Sequence, residues 1–228
     1  MRFILPFLLI FTLQPALAET ERLMTVTGQG VINVEPDLAH INLGVQTVGK
    51  TANAALKENN SKMAKIIAEL KAVGIEDRDI QTTNFSISPQ WEQIKQSSKH
   101  QRPKIIGYIV SNMVNLRIRD LDTIGEVLDQ VVNLGANSFH GIRFDISNRA
   151  ELMDDARVLA VKKARSRAEI LTEAAGVELG EILTISEGGG FVPQGRFAQA
   201  DAMMAEAVPI AQGELEIRAP VSLTYELE

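Results

Sequence analysis

The alternation of apolar and polar residues predicts most of the strands in this chain. Segment 38–48 alternates most regularly, with Ala39, Ile41 and Leu43 on one face. A period of two residues is typical of a strand that is buried on one side. Alternation or β-branched composition predicts further strands over 24–34, 79–94, 105–119, 139–147, 182–185 and 214–226.

Three segments, 51–73, 121–134 and 149–175, instead have the apolar spacing of an amphipathic helix. A glycine follows each of them, at Gly74, Gly135 and Gly176, where glycine commonly ends a helix. Inward positions include Val73 in the first helix and Val132 in the second. The third helix has a mainly alanine stripe: Leu152, Ala156, Ala160, Ala164, Ala168, Leu171 and Ala175. Such a stripe allows close packing on a sheet.

These elements predict an α+β fold, with a mostly antiparallel sheet, long hairpins, and two or three helices packed on it. We expect a first hairpin between 24–34 and 38–48, joined by a turn at Pro36-Asp37, with a bend or bulge at Gly28 and Gly30. We expect a second, long hairpin between 79–94 and 105–119. Pro220 indicates an edge position or a bulge in the last strand.

The N-terminal residues predict export. A single basic residue, Arg2, precedes an apolar run over 3–11, and a small-residue site ends at Ala18, so we expect residues 1–18 to be removed by cleavage before Glu19. The apolar run is shorter than the roughly 20 residues that span a bilayer. We therefore expect a periplasmic protein, whose membrane association, including any with the outer membrane, is peripheral at most.

Composition narrows the function. The chain has 228 residues, with 23 Lys and Arg and 29 Asp and Glu. Because Arg2 is removed with the signal, the mature chain would have 22 basic residues and a net charge of −7. This charge disfavours binding to nucleic acid or to anionic lipid. The chain has no cysteine, so disulfides, thiolate chemistry, Cys-ligated metals and a lipid anchor on cysteine are all excluded.

Residues 19–228 are predicted to form one domain, which is either a single unit or a pair of α+β subdomains. Segment 186–213 differs in composition, with three glycines at 188–190 and an alanine-rich patch. Long loops of this kind are usually functional or disordered. We interpret the segment as a flexible insert with an apolar assembly arm, formed by Phe191, Val192, Pro193, Phe197, Met203 and Met204.

No catalytic, metal or cofactor site is predicted. His40, His100 and His140 are isolated from one another in sequence, which does not match the spacing of known metal ligands. A strand follows Gly28-Gln29-Gly30, although phosphate binding by such a loop requires a helix N-terminus. Trp91 is interpreted as a core or interface anchor.

The segment from Val26 to Ile41, VTGQGVINVEPDLAHI, resembles the SIMPL-domain family, as do Gly74-Ile75, Asp79-Ile80-Gln-Thr82 and Ile106-Gly-Tyr108 further along. The resemblance extends over nearly the whole mature chain. It implies an α+β fold, export, self-assembly and a link to envelope integrity or oxidative-stress defence, with some members known as immunogenic proteins. The family brings no catalytic residues, which leaves Gly28, Gly30, Pro36 and Asp37 as a structural signature turn.

The leading hypothesis is therefore a non-enzymatic periplasmic protein that forms homo-oligomers through strand edges and the insert, as an envelope scaffold or a stress-protective module. Its expected partners are further copies of itself, with other envelope proteins as additional candidates, and no nucleic acid and no cofactor. The alternative is a monomeric binder of a ligand or client protein. A third hypothesis, a hydrolase using Glu35, Asp37 and His40, is based on sequence adjacency alone.

Overall fold

Two antiparallel sheets with three helices make up the described part of the chain, which in this computed structural model is residues 22–92, 103–188, 194–196 and 210–228. The strands are β1 (Leu23–Val34), β2 (Leu38–Gly49), β3 (Ile80–Trp91), β4 (Ile105–Ile118), β5 (Ser138–Asp145), β6 (Leu179–Glu187), β7 (Gln194–Arg196) and β8 (Glu214–Leu227). The helices are α1 (Ala52–Ala72), α2 (Ile124–Asn133) and α3 (Arg149–Ala175), with single 3-10 turns at Asp77–Asp79 and Leu121–Thr123. The predicted α+β class is confirmed.

Each sheet has four strands and its own helical cover. In the first sheet the order is β1-β8-β6, and β7 also pairs with β8. Helix α3 packs on β1 and β8 of this sheet. In the second sheet the order is β3-β4-β2-β5. Helix α1 packs on β2 and β4, and residues of α2 extend the same hydrophobic core.

The expected hairpin between the first two strands is wrong. Strand β1 pairs with β8 in one sheet, whereas β2 pairs with β4 and β5 in the other. The connection at Glu35-Pro36-Asp37 therefore carries the chain from one sheet to the next, and does not turn it back on itself. The second predicted hairpin, β3 with β4, is confirmed.

Gly28 and Gly30 do not form the expected bend or bulge, because β1 pairs with β8 in continuous register from Leu23 to Val34. Their role is close packing against α3. A Cβ atom at Gly28 would lie 2.0 Å from the carbonyl oxygen of Ala160, and one at Gly30 would lie 1.8 Å from that of Ala156. Glycine on the strand and alanine on the helix together allow the two backbones to meet.

The alanine stripe of α3 is confirmed at four positions and shifted at its end. Ala156, Ala160, Ala164 and Ala168 are fully buried. The next buried residue is Thr172, whose hydroxyl donates to the carbonyl oxygen of Ala168 at 3.0 Å. The predicted Leu171 is 48% exposed and Ala175 is also exposed, because the stripe continues at a spacing of four residues up to Thr172.

Glycine ends all three helices as predicted. Gly74, Gly135 and Gly176 have positive φ angles, a conformation that glycine adopts without a Cβ clash. Two valines near helix ends, Val73 and Val132, are exposed although they were expected inside. Val132 comes one position after the buried Val131 and therefore lies on another side of α2, while Val73 lies just beyond the last residue of α1.

Pro220 lies in β8, the middle strand of its sheet, in regular register with Gln29. The expected edge position or bulge is therefore wrong for the strand as a whole. Its carbonyl oxygen accepts a hydrogen bond from the N–H of Gly188 at 3.0 Å, just after the last β6 pair, Glu187 with Val221. The N and C=O groups of one strand residue point to the same side of the strand. The nitrogen of Pro220, which has no hydrogen, therefore faces the end of β6, where no further strand hydrogen bond is needed.

Part of the predicted insert forms a strand: β7 pairs with β8 between Gln194 and Arg196. Strand β6 also extends to Glu187, beyond the predicted start of the insert. The cleavage residues Ala18 and Glu19 lie outside the described residues, as do the predicted arm residues Phe191, Val192, Pro193, Phe197, Met203 and Met204.

Candidate functional site

A row of exposed apolar side chains follows the edge strand β3. Phe85, Ile87 and Trp91 are 50%, 42% and 52% exposed and occupy alternate positions, with Pro89 between the last two. We name these four residues the edge row. Phe85 and Ile87 lie opposite Asn112 and Val110 of β4, so they share the face on which α1 packs. Since α1 covers β2 and β4 and barely reaches β3, the edge row is left uncovered.

Strand β3 also lacks the charges that usually protect a sheet edge. Its 12 residues, Ile80–Trp91, contain no Asp, Glu, Lys, Arg or His. A register shift at Thr83 and the proline at 89 bound a regular stretch, 84–88. Exposed edge strands normally carry charges, prolines or bulges that prevent pairing with another chain. The stretch 84–88 has none of these within it and can pair.

Strand β1 is the other edge strand without a charged residue, but a side chain of α3 covers part of its backbone. Arg167 of α3 donates from Nη1 to the carbonyl oxygen of Thr27 at 2.7 Å. This contact places a charged side chain over a backbone acceptor of β1. On β3, Trp91 is 52% exposed. Of the two roles expected for it, core residue or interface anchor, this exposure favours the interface.

An apolar groove of about 790 Å³ lies between α2 and the start of β5. Val132 and Phe139 are prominent in its wall, being 61% and 51% exposed. Its other lining residues are Leu43, Leu128, Asp129, Val131, Asn133, Ala136, Asn137 and Ser138. The volume is within the range of small-molecule sites, and a few polar groups surround the apolar wall, as is common in such sites.

Pro36 and Asp37 belong to a junction between the two sheets. Asp37 Oδ1 accepts a hydrogen bond from the N–H of Ser147 at 2.7 Å, and the Ser147 hydroxyl donates to Oδ2. The N–H of Asp37 donates to the carbonyl oxygen of Asp145 at 3.2 Å. The segment that leaves β1 is therefore tied to the segment that leaves β5, and the signature residues at 36–37 have a structural role.

Asp145 strengthens the same junction. Its Oδ1 accepts from Arg149 at 2.5 Å and from the N–H of Ile146 at 2.7 Å. Burial alone would raise the pKa of Asp145, but the hydrogen bonds from Arg149 and Ile146, together with the positive charges of Arg149 and Arg143, outweigh it and lower the pKa. The carboxylate is therefore stabilised in its ionised form.

The residues of the hydrolase hypothesis are not assembled into a catalytic arrangement. The carboxylate of Asp37 is engaged with Ser147, and Glu35 is exposed. His40 lies on the open face of the second sheet, since its neighbours Ala39 and Ile41 are fully buried under the helices. Among the described residues, Asp37 and His40 make no hydrogen bond to each other.

Two of the three histidines meet in space. His40 and His140 line one small pocket on the open face, together with Asn42, Asn115 and Arg143. His100 lies outside the described residues. Within the described ranges, no group of three or more His, Cys, Asp or Glu is placed to hold a metal ion. No helix in that part of the chain is both long and apolar enough to cross a bilayer.

Sequence reasoning missed Asn59 and Arg143. Asn59 is fully buried in α1, and its amide donates to the carbonyl oxygens of Val45 at 2.8 Å and Val110 at 3.3 Å. Its position in the apolar stripe of α1, between Ala55 and Met63, could have indicated that Asn59 is buried. Arg143 gave no such indication, because only the pairing of β5 with β2 brings it beside His40.

Two antiparallel sheets, exposed apolar edges and a junction built on Pro36-Asp37 define an α+β protein with a structural signature and no assembled catalytic group among the described residues. A family model named SIMPL, described as a protein of unknown function (DUF541), matches residues 24–225. The chain belongs to this family.

Relatives support the same assignment. The 26 kDa periplasmic immunogenic protein of Brucella melitensis is 34% identical over 226 residues, which cover 94% of this chain and 90% of the relative. The uncharacterised protein YggE of Edwardsiella ictaluri is 26% identical over 162 residues, covering 71% of this chain and 66% of that protein. YggE of Escherichia coli K12 is 22% identical over 214 residues, covering 90% and 83%. None of these names describes an enzyme.

Proposed function

We propose that the protein is a non-enzymatic periplasmic protein that assembles with copies of itself and acts as an envelope scaffold or in protection against oxidative stress. The name of the Brucella relative supports the periplasmic location. The observation that carries self-assembly is the uncovered, uncharged edge of β3. Because the chain has no cysteine, protection against oxidative stress would not be based on thiol chemistry.

A two-fold axis through Ser86 gives the simplest contact between copies. Antiparallel pairing of two β3 strands about this residue would place Phe85 opposite Ile87 of the second copy, and Ile87 opposite Phe85. Aromatic and β-branched residues are favourable cross-strand neighbours. The resulting continuous sheet would cover Phe85 and Ile87 of both copies and satisfy the free backbone groups of 84–88.

The test is the mass of the mature protein by light scattering over a wide concentration range. We expect an oligomer, and we expect Ile87→Lys to lower its mass, because two lysines would lie beside apolar residues in the paired edge. Ile170→Lys is the matched control, since Ile170 is also exposed, at 62%, but lies on α3. Unfolding in urea would verify that both variants fold. A wild-type monomer at every concentration, or an unchanged mass for a folded Ile87→Lys variant, would contradict the proposal.

The predicted assembly arm can be tested separately. Deleting residues 197–209 would leave Ile210–Gly213 as a four-residue connection from β7 to β8, which suits an antiparallel hairpin. We propose that the arm extends the β3-paired dimer to a larger assembly. The deletion removes Phe197, Met203 and Met204 of the arm, so it should reduce the mass to that of a dimer, whereas an unchanged mass would exclude these three residues from assembly.

The groove beside α2 favours a second candidate function, a monomeric binder of an apolar ligand or client segment. The fluorescent probe 8-anilinonaphthalene-1-sulfonate would test it. Binding should be lost in Val132→Asp and retained in Val158→Asp, an exposed valine on α3. Equal binding by both variants would argue against this groove as a ligand site.

A further inference from the structure

A basic row crosses the open face of the second sheet. His40 of β2 lies opposite Arg117 of β4 on one side and opposite Arg143 of β5 on the other. Residues directly opposite each other in antiparallel strands share a face. These three side chains therefore lie side by side on the face that the helices leave open.

An irregularity in β5 makes a hollow beside this row. The pairing of β2 with β5 shifts between Ile41 and Leu43, so that Asn42 alone faces His140 and Gly141. Gly141 has a φ of +95°, and a Cβ atom placed there would meet nothing within 4 Å. The hollow has a volume of about 200 Å³ and is lined by His40, Asn42, Asn115, His140, Gly141, Ile142 and Arg143.

Two carboxylates close to this row, Asp145 and Asp79, accept hydrogen bonds from arginines outside it. Asp145 is bonded to Arg149, although the charge of Arg143 also acts on it. Asp79, which is buried, accepts two hydrogen bonds from Arg119 at 2.9 and 3.2 Å, while Arg117 stands 3.8 Å away. Within the described ranges, Arg143 has no carboxylate within 4.0 Å. Among the residues that the structure describes, it is therefore a guanidinium without an ion pair, in a polar pocket.

We propose that this pocket, which we name the basic pocket, binds the phosphate group of a small free anion, either inorganic phosphate or a phosphate monoester. The guanidinium of Arg143 can offer two parallel N–H donors to phosphate oxygens. The amides of Asn42 and Asn115 and the rings of His40 and His140 supply further donors. A mature charge of −7 disfavours an approach to an anionic membrane, so a free anion suits the site better than a lipid headgroup.

The proposal can be tested by following the imidazole NMR signals of the mature protein. The chain has three histidines, and the variants His40→Asn and His140→Asn would assign the two signals that belong to the basic pocket. Titration with inorganic phosphate at constant ionic strength should shift both signals along a saturable curve. Arg143→Gln should weaken binding at least tenfold, and Arg165→Gln, an exposed arginine of α3, should leave it unchanged.

A linear shift without saturation, or equal affinity in Arg143→Gln and wild type, would overturn the proposal. Sedimentation with phosphatidylglycerol vesicles, compared with phosphatidylcholine vesicles, distinguishes the two sources of a phosphate group. We expect no vesicle binding. Capture by phosphatidylglycerol that depends on Arg143, without a response to inorganic phosphate, would contradict a free-anion site. None of these outcomes depends on the oligomeric state, so this test is independent of the proposed assembly.

Discussion

Ser147 holds the carboxylate of Asp37 with both its N–H and its hydroxyl, although the two residues are 110 positions apart in the chain. Asp37 lies in the connection from β1 in the first sheet to β2 in the second. Ser147 lies in the connection from β5 of the second sheet to α3, which packs on the first. The two crossing segments are therefore joined side by side. This contact accounts for the acidic residue after Pro36 without any catalytic role.

Replacing Asp37 with alanine should destabilise the protein by about 1 kcal/mol, because hydrogen bonds to a charged group are lost at an exposed site. Urea unfolding of Asp37→Ala, Ser147→Ala and the double variant would measure the coupling between them, expected to be at least about 0.5 kcal/mol. Glu35→Ala, in the same connection, should change stability by less than about 0.5 kcal/mol. Ser147→Ala keeps the backbone N–H, so the cycle tests the hydroxyl bond alone, and additive effects of the two substitutions would show that this bond contributes nothing.

Gly30→Ala should destabilise by about 3 kcal/mol or more, because its methyl group would overlap the carbonyl of Ala156 and push α3 away from β1. Gln29→Ala is the matched control, since Gln29 is exposed on the same strand. Urea midpoints of both variants would decide. A stable Gly30→Ala variant would mean that α3 does not lie as close to β1 as described.

Asp145 should make stability depend on pH in the acid range. A carboxyl whose pKa is lower in the folded state than in the unfolded chain, where it is about 3.9, stabilises the fold when ionised. Its contribution is complete above the unfolded pKa and is lost as the pH falls through the folded pKa. Asp145→Asn should therefore cost most at neutral pH, and the difference from wild type should shrink below about pH 4.

Urea unfolding of both proteins at neutral pH and at about pH 3 would measure this change. Asp155→Asn, an exposed aspartate of α3, provides a control with no ion pair among the described residues. A cost of Asp145→Asn that is the same at both pH values would mean that the pKa of Asp145 is not lowered by folding.

Asn59→Ala should destabilise by about 2 to 3 kcal/mol, because it removes the hydrogen bonds to Val45 and Val110 and leaves a buried void. Asn60→Ala, next to it and exposed, should have an effect below about 0.5 kcal/mol. Thermal or urea unfolding would compare them. Similar costs for both substitutions would show that the amide of Asn59 does not link α1 to the sheet.

The local elements could be predicted because their causes are local. The apolar spacing of α1 and the glycine at Gly74 define that helix and its end from adjacent residues alone. The alternation of β2 likewise identifies its buried face, where Ala39 and Ile41 are fully buried.

Strand pairing could not be predicted in the same way. The alternation of β1 fits β2 as a partner as well as it fits β8, and the short connection at Pro36 favoured the wrong one. The distinguishing fact is that the glycines of β1 match the alanines of α3, more than 120 positions later. The basic pocket depends on pairing too, since Arg143 meets His40 only through the register of β5 with β2. The pairing of strands that are far apart in the sequence is therefore the part of the fold that the sequence did not predict.

The pairing of β1 with β8 also determines the order in which the chain can fold. Leu23 pairs with Glu226, so the first sheet joins residues from the two ends of the described chain. A chain that emerges from its N-terminus, during synthesis or transport, holds β1 without its partner until β8 has appeared. The second sheet and its helices can form earlier, because all their strands lie between 38 and 145. Completion of the first sheet is thus a step that waits for β8 and follows the second sheet, with the slow kinetics expected of contacts between distant residues.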